Sequence, residues 1–206
     1  MRLSLTGVDV PMLRLLIAPL AALILGAPAS AAAQEPHPIP DGRVTSGTLS
    51  FDGHATVGDF TGTTNAVTGQ LTGSADLSGV RGWVEAPVES LKTGDGKRDK
   101  DLNKSMESGK YPAIRFELVR IAPAGGSGDS VPVVLHGALA IHGVTRDMEL
   151  PATIRFEGNT ARLRSDFPLN LKDYQIGGLS KMLGMLKMNE KIEVHTDLVF
   201  QLGAGK

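Results

Sequence analysis

The most constraining feature of this chain is an alternation of apolar and polar side chains with a period of two residues. Alternate side chains of a strand point to opposite faces of a sheet, so this pattern predicts strands with one apolar face. In the last such segment the apolar positions are Ile192, Val194, Leu198, Phe200 and Leu202, and the polar positions are Glu193, His195, Asp197 and Gln201. Residues 114–118, 148–156 and 163–171 show the same pattern, which is typical of half-buried antiparallel strands.

Weaker strand signals cover residues 45–51, 55–64, 79–88 and 133–141, with clusters of Gly, Asn and Asp between them that suit hairpin turns. About eight long strands that share one apolar set favour an all-β fold, an antiparallel up-and-down β-barrel. A barrel of about eight strands has an interior that holds either packed side chains or one small ligand.

Two segments depart from the strand pattern and predict one or two short helices. Lys97–Ser108 is polar and precedes Gly109, which suits a helix with a glycine C-cap. Leu179–Met188 places Leu179, Met182, Leu183 and Leu186 at helical spacing. We interpret this second segment as a short amphipathic helix that gates the mouth of the barrel.

The N-terminal residues have the layout of a secretory signal peptide. Arg14 precedes an apolar run over residues 15–25, and small residues then lead to Ala31-Ala32-Ala33. We expect cleavage after Ala33, and hence a periplasmic or secreted protein. A membrane anchor is the alternative, but Gly26 and Pro28 interrupt the run before the roughly 20 apolar residues of a span. The sequence therefore predicts no stable membrane anchor, and it leaves open whether translation starts at Met1 or Met12.

The predicted organisation is a signal peptide over residues 1–33, a flexible leader over 34–43 and one barrel domain over 44–203. The leader contains three of the chain's 12 prolines, a composition that resists regular pairing. Cysteine is absent, which excludes a disulfide framework. A net charge of −1 gives no indication of a nucleic-acid partner.

The sequence contains no pattern that indicates catalysis, a metal site or a cofactor. The five histidines are scattered singly along the chain, although neighbouring strands can bring distant ones together. The glycine-rich segment 125–129 lacks the spacing of a nucleophile elbow. We therefore expect a protein that is not an enzyme.

Five short motifs occur in an order that resembles the YceI family. They are Thr93-Gly94 with Arg98-Asp99, Lys110-Tyr111-Pro112, the run from Leu139 to Arg146, Ser165-Asp166-Phe167, and Leu171-Lys172-Asp173-Tyr174. The resemblance extends over residues 47–202. It implies a lipocalin-like barrel whose apolar interior holds an isoprenoid lipid, a quinone-like molecule or a similar amphiphile. Met106 stands where the family commonly has an aromatic residue, which alters one end of the implied pocket.

The candidate ligand-binding residues are large apolar side chains on the predicted inner face and the predicted gate. They are Phe51, Phe60, Ile114, Phe116, Leu139, Ile141, Leu150, Phe167, Met182, Leu183, Leu186, Leu198 and Phe200. Each of them has the alternative role of filling the core. Arg98 is the candidate for a ligand headgroup, and an ion pair with Asp99 is its alternative role.

Two functions follow from these expectations. The first is a binding protein that carries or sequesters an amphiphile, and the second is a ligand-free stress-response or protein-interaction barrel without catalytic activity. An internal cavity separates the two, and the small residues Gly82, Ala86, Ala138 and Ala152 suggest space for one. The oligomeric state stays open, with a homodimer among the alternatives.

Overall fold

The structure is a computed structural model that describes residues 38–56, 58–125, 130–176 and 188–203. The strands are β1 (Gly42–Ala55), β2 (Gly58–Thr64), β3 (Thr68–Thr72), β4 (Arg81–Pro87), β5 (Ala113–Pro123), β6 (Ser130–Ile141), β7 (Val144–Glu157), β8 (Thr160–Asn170) and β9 (Lys191–Leu202). One α-helix among these residues, α1, spans Gly96–Ser105. Short 3₁₀ helices occupy Leu77–Gly79, Val88–Ser90 and Leu171–Tyr174.

The strands form a closed antiparallel barrel, which confirms the predicted fold class. From β3 to β9 each strand pairs with the next one in sequence, and β9 returns to pair with β1. Strands β2 and β3 lie end to end beside β1: β2 pairs with its last seven residues, and β3 pairs with Gly42 and Arg43. The nine described strands therefore occupy eight positions around the barrel.

Strand β3 is absent from the sequence prediction because it shows no alternation. Four of its five residues are glycine or polar, and Leu71 is its one large apolar side chain. A Cβ atom at Gly69 would collide with the Trp83 carbonyl and the Val84 side chain on β4. The backbones of β3 and β4 approach each other closely here and therefore require glycine, which interrupts the apolar pattern of β3.

Alternating burial along the strands places one apolar core inside the barrel. On β6, every second residue from Val133 to Ile141 is buried, whereas the residues between them are partly exposed. Ala138, a suggested interior residue, has the opposite parity and faces outward. Ala86 and Ala152 are buried as expected.

At the upper end of the barrel, where α1 lies, two phenylalanines face glycines on the neighbouring strand. Phe51 pairs with Gly62, and Phe60 pairs with Gly53. A Cβ atom at either glycine would collide with the ring of its partner. The two glycines therefore make room for two aromatic rings side by side on the inner face.

Helix α1 begins with a side-chain cap and ends earlier than its sequence indicates. The carboxylate of Asp95 accepts hydrogen bonds from the backbone N–H groups of Lys97 at 2.8 Å and Arg98 at 2.9 Å. Glu107, with φ of 46°, holds the left-handed position that was predicted for Gly109. Its N–H bonds to the Lys104 carbonyl, and the Ser108 N–H bonds to the Asn103 carbonyl, which together close a Schellman motif before Gly109 is reached.

The lower end of the barrel includes residues that were predicted to belong to the leader. Ile39 forms a β-bridge with Ser74, and β1 already begins at Gly42. The Asp41 carboxylate also accepts a hydrogen bond from the Gly73 N–H at 2.8 Å. Ile39, Gly42 and Arg43 pair with neighbouring residues despite the nearby prolines because the barrel offers them partners.

Two predicted features lie outside the described residues. They are the signal peptide with its cleavage site and the helix at Leu179–Met188, of which only Met188 is described. Among the helices that the structure describes, none has the length and apolar character needed to cross a membrane.

Candidate ligand-binding cavity

The barrel encloses a cavity of about 180 Å³ with an almost entirely apolar surface. Nine of the predicted binding residues line it: Phe51, Ile114, Phe116, Leu139, Ile141, Leu150, Phe167, Leu198 and Phe200. They come from strands all around the barrel, so the closed sheet itself brings them together. Whether they contact a ligand stays a prediction, and so do the contacts of Met182, Leu183 and Leu186, which lie outside the described part of the chain.

The upper end of the cavity is formed by residues that the sequence analysis did not select. Leu102 and Ser105 of α1 line it, together with the C-cap residue Met106, Ile176 and Met188. Alternation in strands carries no information about which helix or turn closes a barrel. The departure from the family pattern at Met106 therefore falls on the cavity wall.

Phe60 lies above the cavity and does not line it. Its ring meets the ring of Phe51 edge to face, with the centroids 6.1 Å apart. The guanidinium carbon of Arg98 lies over the Phe60 ring, 4.4 Å from its centroid. Arg98, Phe60 and Phe51 thus form a stack from the rim of the barrel down to the cavity, which we call the rim stack.

The suggested ion pair between Arg98 and Asp99 is not formed. The Asp99 carboxylate accepts hydrogen bonds from the Thr93 hydroxyl at 2.7 Å and the Thr93 N–H at 2.8 Å. These two bonds lower the pKa of Asp99. Asp99 therefore anchors the loop before α1, while Arg98 points to the aromatic ring.

A second group of polar residues connects three turns at the upper end of the barrel. The Nε2 atom of His142 lies 3.5 Å from a carboxylate oxygen of Glu107, and its Nδ1 atom lies 3.1 Å from the Tyr174 carbonyl oxygen. Glu107, His142 and Gln175 are the described non-glycine residues with positive φ. Their strained turns contact one another, and this group was not apparent from sequence because its members are far apart.

One group of titratable side chains with shifted pKa values lies on the outer face of the barrel. His195 lies between Asp166, at 2.6 Å from its Nδ1 atom, and Asp52, at 3.2 Å from its Nε2 atom. The hydrogen bond with Asp166 is the main cause that raises the pKa of His195. Within the described ranges, no group of three or more His, Asp or Glu side chains is arranged to hold a metal ion.

The geometry of this site is that of a container for an apolar molecule. Its wall offers aliphatic, aromatic and thioether groups, and Glu85 is the charged residue among the described ones that line it. Arg98 lies outside the wall, in the rim stack. An apolar cavity beside a few oriented polar groups is the usual form of a small-molecule binding site.

Two solved structures have the same fold. One is BcnA of Burkholderia cenocepacia, with a TM-score of 0.64, 19% identity, and coverage of 74% of this chain and 95% of that chain. Another is a polyisoprenoid-binding domain from Saccharophagus degradans implicated in plant cell wall breakdown, with a TM-score of 0.67, 13% identity, and coverage of 80% and 99%. Because both sequence identities are low, these similarities show a shared fold and nothing more.

Comparison with curated proteins gives no match. The family model of the YceI-like domain matches residues 43–200, which is nearly all of the barrel described above. On that match, together with the closed barrel and its order of motifs, the chain belongs to the family of YceI-like domains.

Proposed function

We propose that this protein is a periplasmic binding protein that carries or sequesters an isoprenoid lipid, a quinone-like molecule or another amphiphile. The observation that carries the proposal is the apolar cavity of about 180 Å³ inside the closed barrel. The similarity of fold to a domain described as polyisoprenoid-binding supports the same class of ligand.

The hydrocarbon part of the ligand occupies the cavity. Each buried CH₂ group contributes about 0.8 kcal/mol, and association costs at least about 4 kcal/mol, so micromolar binding needs about 15 buried carbons, or roughly three isoprene units. Pockets for drug-sized ligands commonly measure about 300–1,000 Å³, which is more than this cavity holds. We therefore expect the cavity to take a short isoprenoid chain whose headgroup stays at the rim.

The headgroup lies at Arg98 in this proposal. Its guanidinium stacks on Phe60 at the top of the rim stack, and it makes no ion pair with any residue that the structure describes. A guanidinium presents five N–H donors, which suit the oxygens of a phosphate or a quinone. The rim stack then places a polar group and an apolar chain at the two ends of one binding site.

The periplasmic location rests on the layout of residues 1–33. N-terminal sequencing of the protein from a periplasmic fraction tests it, and we expect the mature chain to begin at Gln34. Recovery of the full-length chain in the membrane fraction after a carbonate wash would contradict it.

The binding function is tested by mass spectrometry of an organic extract of the purified protein. We expect one amphiphile with an isoprenoid chain, present in near-stoichiometric amount. Displacement of a fluorescent isoprenoid by farnesol and geranylgeraniol provides an independent measurement. An extract without such a molecule, together with no displacement, would favour a ligand-free barrel that interacts with other proteins.

A further inference from the structure

A second, smaller cavity lies below the first, toward the lower end of the barrel. Its volume is about 40 Å³, its surface is apolar, and Ile39, Leu77 and Val80 line its lower side. We call it the base cavity, and the cavity of about 180 Å³ the main cavity. Because a water molecule takes up about 30 Å³ in the liquid, the base cavity is comparable to a small terminal group of a hydrocarbon chain.

Four side chains line both cavities: Leu71, Leu118, Leu163 and Phe200. They come from β3, β5, β8 and β9, so they meet from different sides of the barrel. We call this group the inner constriction. It divides one apolar interior into two compartments.

The strand register places the side chains of the inner constriction near one another. Leu71 and Leu118 each pair with Gly82, on opposite sides of β4. A Cβ atom at Gly82 would collide with the Leu71 side chain, so the absence of a side chain there lets Leu71 lie across β4. On the opposite wall, Phe200 pairs with Ala161, two residues before Leu163 on β8.

The floor of the base cavity is held by the backbone. The N–H of Ile39 donates to the Ser74 carbonyl at 2.7 Å, and the N–H of Ser74 donates to the Ile39 carbonyl at 2.9 Å. Val80 is 1% exposed. A chain that passes the inner constriction therefore gains the base cavity, whose floor is the Ile39–Ser74 pair.

We propose that the inner constriction sets the length of hydrocarbon chain that the barrel accepts. This inference rests on the proposed function, since it concerns the same interior. In the native protein the tip of the chain stops at Leu163 and Phe200. Removal of one constriction side chain joins the two cavities and admits the next longer isoprenoid.

The test compares geraniol, farnesol and geranylgeraniol, which differ by one isoprene unit each, as competitors of a fluorescent isoprenoid. For the native protein we expect affinity to rise with length up to one alcohol and then to stop rising. In Leu163→Ala the limit moves to a longer alcohol, whose affinity increases about ten-fold, while shorter alcohols change by less than about two-fold.

Leu49→Ala is the matched control. Leu49 is half-buried like Leu163, but it lines only the main cavity. Its substitution should change the affinity of all three alcohols by a similar factor and leave the length limit in place. Leu71→Ala, at another half-buried constriction residue, repeats the test if Leu163→Ala does not fold.

The outcomes separate this inference from the proposed function. If the native protein binds none of the alcohols, the proposed function itself fails. If the native protein shows a length limit that neither Leu163→Ala nor Leu71→Ala moves, binding stands and the inner constriction does not set chain length. A limit that moves equally in Leu49→Ala would also contradict the inference.

Discussion

The guanidinium carbon of Arg98 lies 4.4 Å from the centre of the Phe60 ring, at the rim of the barrel. A cation over an aromatic face is attracted by about 0.5–1 kcal/mol at exposed sites. This contact orients Arg98 above the cavity without consuming its hydrogen-bond donors. It therefore prepares the side chain for an anionic or carbonyl group of a ligand.

Arg98→Ala should weaken the binding of geranylgeranyl diphosphate by about ten-fold, because charge-assisted hydrogen bonds contribute about 1.5–3 kcal/mol. The affinity for geranylgeraniol, which lacks the phosphates, should change by less than about two-fold. Competition against a fluorescent isoprenoid measures both. Lys100→Ala removes the same charge from an exposed position on α1 and serves as the control. Equal losses for the alcohol and the diphosphate in Arg98→Ala would show that Arg98 only supports the rim.

Gly62→Ala should destabilise the protein by about 1–3 kcal/mol, because the added methyl group collides with the Phe51 ring and the strands must move apart. Chemical denaturation measures the loss. Phe51→Leu should relieve the collision, so the loss in the double variant is smaller than the sum of the two single losses. Gly109→Ala, which adds a methyl group in open space, should change stability by less than about 0.5 kcal/mol. Strict additivity of Gly62→Ala and Phe51→Leu would contradict this account.

His195 should make the thermal midpoint depend on pH. The hydrogen bond with Asp166, followed by that with Asp52, raises the pKa of His195 above 6.5 in the folded protein. The stabilisation that His195 provides is therefore fully present below pH 6.5, the pKa of histidine in the unfolded chain. It is lost as pH rises through the pKa of His195 in the folded protein. Melting curves between about pH 6 and about pH 9 should show a falling midpoint, with a smaller fall in His195→Gln.

Other titratable groups around His195 set the controls for that measurement. The pKa of Asp52 is lowered, mainly by the hydrogen bond from Thr61, so its contribution is lost only at acidic pH. The pKa of His54 is raised by its bond with Asp59, but both side chains are largely exposed. His54→Gln should therefore reduce the pH dependence less than His195→Gln. A larger reduction in His54→Gln than in His195→Gln would show that the exposed His54–Asp59 pair causes the pH dependence.

Tyr174→Phe should leave the protein equally or more stable. The Tyr174 hydroxyl is buried and has no hydrogen-bond partner among the residues that the structure describes, and burial raises its pKa. An unpaired buried hydroxyl costs about 1–3 kcal/mol, which the substitution removes. The thermal midpoint is the measurement, with Tyr111→Phe as a control at a less buried tyrosine. A clear loss of stability in Tyr174→Phe would show that the hydroxyl does have a partner.

Strand alternation made most of the barrel predictable, because burial on one face acts on every second residue. The parity of Leu135, Leu139 and Ile141 specifies the inner face of β6, and the same parity excludes Ala138 from it. Alternation does not specify height along the barrel axis. Phe60 faces inward as predicted, yet it lies above the cavity, because its strand begins at the rim.

Features that depend on contacts between distant turns were not predictable. The end of α1 is determined at Glu107, whose carboxylate approaches His142 from the turn between β6 and β7. A local pattern favours Gly109 for the left-handed position, and the tertiary contact selects Glu107. The base cavity likewise depends on the β-bridge between Ile39 and Ser74. These residues are too far apart in sequence for a periodic pattern to predict their contact.

The pairing of β1 with β9 joins the first strand of the barrel to the last, from Gly42 opposite Leu202 to Asp52 opposite Glu193. This pairing forms only after β9 has been synthesised, and the chain between β1 and β9 is almost as long as the domain. Contacts of such large sequence separation slow folding, and until they form, β1 and β8 each expose an unpaired edge. The newly made chain therefore passes through an aggregation-prone interval that ends when β9 docks, so factors that shield exposed strands should act before that moment.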